Sequence, residues 1–100
     1  MSNDVNTLFW LILAIDNKEQ VKIKYDKDSS FRLIEPYVLG ENISKEIMLR
    51  AFDVGKNDWR LFKASKITEI QSTGKKFAGV RAGYNGSTDK AMKKILRRIK

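Results

Sequence analysis

The chain has 100 residues, 42% of them hydrophobic and 10% aromatic, with no cysteine and no histidine. Such a composition describes one folded domain with a modest core. It excludes disulfides, thiolate or imidazole metal sites and a histidine general base, so a binding module without a cofactor is expected rather than an enzyme. The net charge of +8 is uneven: residues 1–70 carry 11 Lys+Arg against 11 Asp+Glu, whereas residues 71–100 carry nine basic residues and one acid, Asp89. An anionic partner, nucleic acid by default, is what such an asymmetry serves; a solubilising tail is the alternative.

Residues Ser2 to Asp16 predict a helix, with Ser2, Asn3 and Asp4 as caps. From Leu8 to Ile15 the helix is apolar on every side and needs cover all round, which points to self-association, a homodimer. The run is far shorter than the roughly 20 residues of a membrane span. No basic residue precedes it, so it is no signal peptide, and the expected location is cytoplasmic with no membrane partner.

Strict alternation in Val21-Lys22-Ile23-Lys24-Tyr25 predicts a half-buried strand, followed by a turn over Asp26 to Ser30. Phe31 to Leu39 is a second strand, bent or bulged at Pro36 because proline cannot donate to a ladder. Glu46 to Asp53 is a third, Trp59 to Lys63 a fourth after the turn Gly55-Lys56-Asn57-Asp58, and Lys66 to Ser72 a fifth. Five short strands after one helix predict a mainly β α+β fold, an SH3-like or Sm-like small barrel whose closure hides the strand edges.

Gly74 to Gly86 reads as an irregular crossing segment that enters a final helix, with Ser87 or Thr88 as cap and Asp89 in the first turn. At 100° per residue Ala91, Met92, Ile95, Leu96 and Ile99 share one arc, and Lys90, Lys93, Lys94, Arg97, Arg98 and Lys100 fill the rest. An amphipathic basic C-terminal helix is therefore expected. The chain divides into a helix (1–17), a barrel (18–77) and a Gly-rich loop with basic helix (78–100) within a single domain.

The strands resemble WYL domains. That family shows a strand ending in tyrosine, then Arg-x-x-x-Pro, a strand with Trp-Tyr-Leu, then Arg-x-Phe-Arg-x-x-Arg-Ile and a closing aromatic. Here Ile23-Lys24-Tyr25, then Arg32 and Pro36, match the first elements. Ile47-Met48-Leu49 stands at the eponymous triplet, so its Trp and Tyr are replaced. Arg60-Leu61-Phe62-Lys63-Ala64-Ser65-Lys66-Ile67 and Phe77 match the remainder. The resemblance spans residues 18 to 77 and implies an Sm-like barrel with a regulatory role, in transcription or phage defence, binding nucleic acid or a nucleotide-like ligand through a basic pocket. Most members carry a winged helix-turn-helix; this chain resembles a stand-alone version with its own basic segment.

Two basic sets are candidate sites. On the strands, Arg32, Arg50, Arg60, Lys63 and Lys66 offer forks and charges for phosphate, or else pair with Glu35, Glu46 and Asp58. In the C-terminal segment, Lys75, Lys76, Arg81, Lys90, Lys93, Lys94, Arg97 and Arg98 offer sequence-independent phosphate contacts. Tyr84 could stack on a base or simply anchor the loop, and Trp10 and Trp59 read as core or interface residues. Gly83 to Thr88 reads as a capped helix start, since no lysine follows the glycine as in a phosphate-binding P-loop. A different class of function, docking on an acidic partner protein by the apolar first helix or the basic last one, fits the same charge pattern.

Overall fold

A computed structural model describes residues 5–84 and 89–100. The cap candidates Ser2, Asn3 and Asp4, and likewise Ser87 and Thr88, lie outside the described residues. Helix α1 (Val5–Asn17) is followed by β1 (Glu19–Tyr25), β2 (Arg32–Glu41), β3 (Ile47–Asp53), β4 (Asp58–Lys63), a short 3-10 turn (Ala64–Lys66), β5 (Ile67–Lys76) and β6 (Lys94–Arg98). The antiparallel sheet runs β4-β3-β2-β1-β5, with β6 added to β2.

Helix α1 ends at Lys18, whose φ of 51° turns the chain into β1. One side of α1 is buried through Thr7, Leu11, Ala14 and Ile15. Its other side leaves Phe9 56% and Trp10 46% exposed, so the domain covers only one face of the apolar run. In β1 the alternation holds, with Val21 and Ile23 buried and Lys22 exposed. Strand β2 is the spine: its first three residues, Arg32 to Ile34, pair with β1 (Val21↔Ile34), and Ile34 to Glu41 pair with β3. The ladder to β3 shifts between Pro36 and Val38, so the bulge falls on the proline that the sequence marked and Tyr37 becomes the extra residue.

Two expectations fail. The first is the closed barrel of five strands. The sheet has six strands and is open, because no ladder joins β4 to β5. The 3-10 turn separates them in the chain, and single contacts tie the end of β4 and this turn to the end of β1. Lys63 N donates to the Tyr25 hydroxyl at 2.9 Å, and Asp26 N donates to Lys66 O at 2.6 Å.

The second is the C-terminal helix, which is strand β6. After Ile34 strand β1 leaves the edge of β2, and the backbone of buried Val38 to Gly40 needs another partner. Strand β6 supplies it, pairing Val38↔Arg98, Leu39↔Arg97, Gly40↔Ile95 and Glu41↔Lys94. A helix would also have set like charges four residues apart, Lys90/Lys94, Lys93/Arg97 and Lys94/Arg98, each unfavourable. The apolar arc that suggested a helix instead supplies buried Met92 and Ile99 at the two ends of the strand.

Candidate functional site

Cross-strand partners share a face of a sheet. In the β3–β4 ladder Met48↔Lys63, Arg50↔Leu61 and Phe52↔Trp59 form one face, and Leu49↔Phe62 and Ala51↔Arg60 the other. Arg50 and Arg98 both stand opposite Val38, one on each side of β2, so they share the first face.

The segment after β5 crosses this face on an aromatic layer. Tyr37 meets Trp59 at a centroid distance of 4.8 Å, Tyr84 at 4.9 Å and Phe77 at 5.1 Å. Trp59 lies edge-on to Phe52 at 5.5 Å and stacks with Tyr84 at 6.3 Å, the planes 19° apart. The indole N–H of Trp59 donates to Ala82 O at 2.9 Å. Gly83, with φ +89°, lies against the same indole; a Cβ there would stand 2.9 Å from Trp59 Nε1. Arg81 lies 3.8 Å over the Phe52 ring and holds buried Glu35 through two bonds, at 2.6 and 3.2 Å. Gln20 donates to the same carboxylate at 3.0 Å.

Beside this layer opens a cleft of about 550 Å³ lined by Arg50, Trp59, Gly83, Tyr84, Asp89, Lys90 and Ala91. It combines two cations with two aromatic rings, the elements that hold a phosphate and a base. Arg50 is occupied from within: its Nε and Nη2 donate to the two oxygens of Asp89 at 2.8 and 3.1 Å. Ala91 N donates to the same carboxylate at 3.0 Å. The Arg50 bond, against the opposing effect of burial, holds the Asp89 carboxyl below its usual range. Burial pushes the Tyr84 phenol up, and the charge of Arg98 opposes that shift.

The thirteen basic residues singled out in the sequence do not form one surface. Arg32 is tied to Asp28 at 2.7 Å and to Asp53 at 3.2 Å. Lys63 pairs with Glu46 at 3.1 Å, Arg81 with Glu35, and Arg97 with Asp16 at 3.6 Å. These are partners drawn from nearby acids, Glu35 and Glu46 among them. Arg60 projects from the face opposite Arg50 and Lys63. Lys66 sits in the 3-10 turn, and Lys75 and Lys76 end β5. Lys93 precedes β6 and Lys94 opens it, with Lys93 N donating to Glu41 O at 2.6 Å. Only Arg50 and Lys90 line the large cleft, with Arg98 beside Tyr84.

Trp59 and Asp89 are the cleft residues that sequence reasoning assigned elsewhere, to core or interface and to the first turn of a helix. A signal for Asp89 was present: it is the single acid among nine basic residues. Among the described residues no group of acidic side chains could hold a metal ion, and no helix is long and apolar enough to cross a membrane.

A family model described as WYL domain matches residues 7–72. No curated protein matches. Among solved structures the chain is similar to the proteasome accessory factor B/C (PafBC) of Arthrobacter aurescens, with 21% identity and a TM-score of 0.72. The similarity covers 85% of this chain and 14% of that one, so this chain spans about one-seventh of its structural neighbour and the likeness is one of fold.

Proposed function

The chain belongs to the WYL domain family, and we propose that it is a non-enzymatic regulatory module that senses nucleic acid or a nucleotide-like ligand in the Arg50–Trp59–Tyr84–Lys90 cleft. The observation that carries this reading is the meeting of cations and stacked aromatic rings in one concave site. Arg50 and Lys90 would take phosphate and Trp59 or Tyr84 a base face, with Arg98 extending the path along β6. The remaining basic residues add long-range attraction without a fixed contact.

A salt titration with single-stranded and duplex oligonucleotides tests the proposal. With about three phosphates engaged on a single strand, log affinity should fall against log salt with a slope of about −2. A flat dependence, or no binding at low salt, rules the reading out.

A second reading, a protein-docking module, rests on the outer face of α1, where Val5, Phe9 and Trp10 are exposed and Phe9 and Trp10 meet edge-on at 6.0 Å. A second copy of the chain is the occupant proposed. Sedimentation velocity of the wild type against Trp10→Glu separates the cases: a dimer converted to monomer supports docking, and a monomeric wild type refutes it.

A further inference from the structure

From the geometry of the cleft we infer that Asp89 is a built-in competitor for the ligand: its carboxylate fills the Arg50 fork, and a phosphate or similar anion binds Arg50 by displacing it. The inference rests on the ligand reading above and specifies how that site is regulated.

Arg50 meets Asp89 through two parallel bonds, the arrangement in which a guanidinium takes a phosphate. The pair is partly withdrawn from water, the Arg50 side chain being 27% exposed and that of Asp89 8%. Its attraction is therefore stronger than that of a surface ion pair. In residues 71–100 one acid stands among nine basic residues. That one acid sits on the one guanidinium that lines the cleft. A module whose cleft served only to bind anions would gain affinity from a neutral residue there. A carboxylate instead sets a threshold that a ligand must exceed.

The competitor is also attached to a structural element. Ala91 N donates to its carboxylate and Met92 N to its carbonyl, each at 3.0 Å. Lys93 N then donates to Glu41 O, and β6 begins at Lys94. Pulling Asp89 away from Arg50 loads this turn, so occupancy of the cleft reaches the β2–β6 ladder. An anion in the cleft and the stability of that ladder are thereby linked, each acting on the other.

The test uses the full chain with two probes, pyrophosphate and an eight-nucleotide oligothymidylate, read by calorimetry and by the Arg50 Nε–H NMR signal. Asp89→Asn should bind pyrophosphate about tenfold more tightly than wild type, the scale of one charge-assisted hydrogen-bond pair released. The gain should vanish on an Arg50→Gln background. Glu46→Gln changes the net charge equally, at the Lys63 pair, and should gain less than about threefold. Equal affinity for wild type and Asp89→Asn overturns the inference, as does an equal gain in Glu46→Gln or without Arg50. Should Asp89→Asn fail to fold, Asp89→Ser keeps an oxygen for Ala91 N, and the wild type itself gives a readout. Saturating pyrophosphate should move the Arg50 Nε and Asp89 carboxyl signals together; a saturated complex that moves neither refutes displacement. The two probes separate this inference from the functional reading. Oligonucleotide binding that is unchanged by Asp89→Asn removes the competition and leaves the nucleic-acid role. Tighter pyrophosphate binding without oligonucleotide binding leaves the competition and removes the nucleic-acid role.

Discussion

Gly40 and Met92 approach so closely that a Cβ on Gly40 would lie 2.7 Å from the Met92 sulfur, and 2.5 Å from the Lys94 carbonyl oxygen. The missing side chain is what lets the C-terminal segment reach β2 and form β6. Backbone cannot yield as a flexible side chain can. Gly40→Ala should therefore cost about 1–3 kcal/mol, measured by urea unfolding, with hydrogen exchange at Val38 accelerating first. Wild-type stability in that variant would show that β6 does not depend on the close approach.

Arg81 and Glu35 hold the crossing segment on the aromatic layer, with the Glu35 side chain 4% and that of Arg81 37% exposed. Removing the arginine strands a buried carboxylate. Because Arg81 is partly solvated, Arg81→Met should cost about 2 kcal/mol, below the loss of a wholly buried pair. Adding Glu35→Gln should recover part of it. Chemical denaturation of the two variants and the double variant checks both numbers.

Acid stability carries a signature of Asp89. Its carboxyl titrates below the usual 3.8, chiefly through Arg50, so the proton is bound less tightly in the folded state than in the unfolded one. That contribution is complete above about pH 4. It is lost as pH falls through the lowered folded value. Unfolding midpoints between pH 7 and pH 2 should fall less steeply for Asp89→Asn than for wild type. The wild-type slope that remains in that variant reflects Asp28 and Glu46, also held low, by Arg32 and by Asn42 with Lys63 respectively.

The hydroxyl of Tyr37 is buried and, among the described residues, makes no hydrogen bond of good geometry, although the Arg81 backbone partly opposes the effect of burial on it. Tyr37→Phe should therefore be neutral, or more stable by up to about 1 kcal/mol. Burial raises this phenol above its usual 10.0, so its contribution to stability is present below about pH 10 and is lost as pH rises through the folded value. The variant should lose less stability than wild type in alkaline urea titrations. A loss near 2 kcal/mol at neutral pH would reveal a bond to that hydroxyl.

Sequence reasoning reached the fold where side-chain alternation or a backbone constraint was local. Val21 and Ile23 point inward as their spacing requires, and Pro36 marks the bulge in β2 because its ring removes a donor. It failed at β6, where Met92, Ile95 and Ile99 fit a helical arc and the deciding fact is non-local: an edge of β2 left open beyond Ile34. The cleft was legible only in part. Arg50 was identifiable as a basic residue on a strand, and Lys90 as part of a basic segment. That Asp89 spans 39 positions to reach Arg50, and that Trp59 and Tyr84 stack, depend on the path of the crossing segment. No spacing within one element encodes such contacts.

The central claim, that the cleft takes phosphate and base together, is tested most directly by Trp59 fluorescence. Trp10→Phe leaves Trp59 as the sole tryptophan. Titration of that variant with oligothymidylate should quench the indole saturably. Added salt should reverse the quench, and Arg50→Ala together with Lys90→Ala should weaken it by about tenfold or more. Oligonucleotide binding that leaves Trp59 emission unchanged, or that is indifferent to Arg50 and Lys90, would contradict the account.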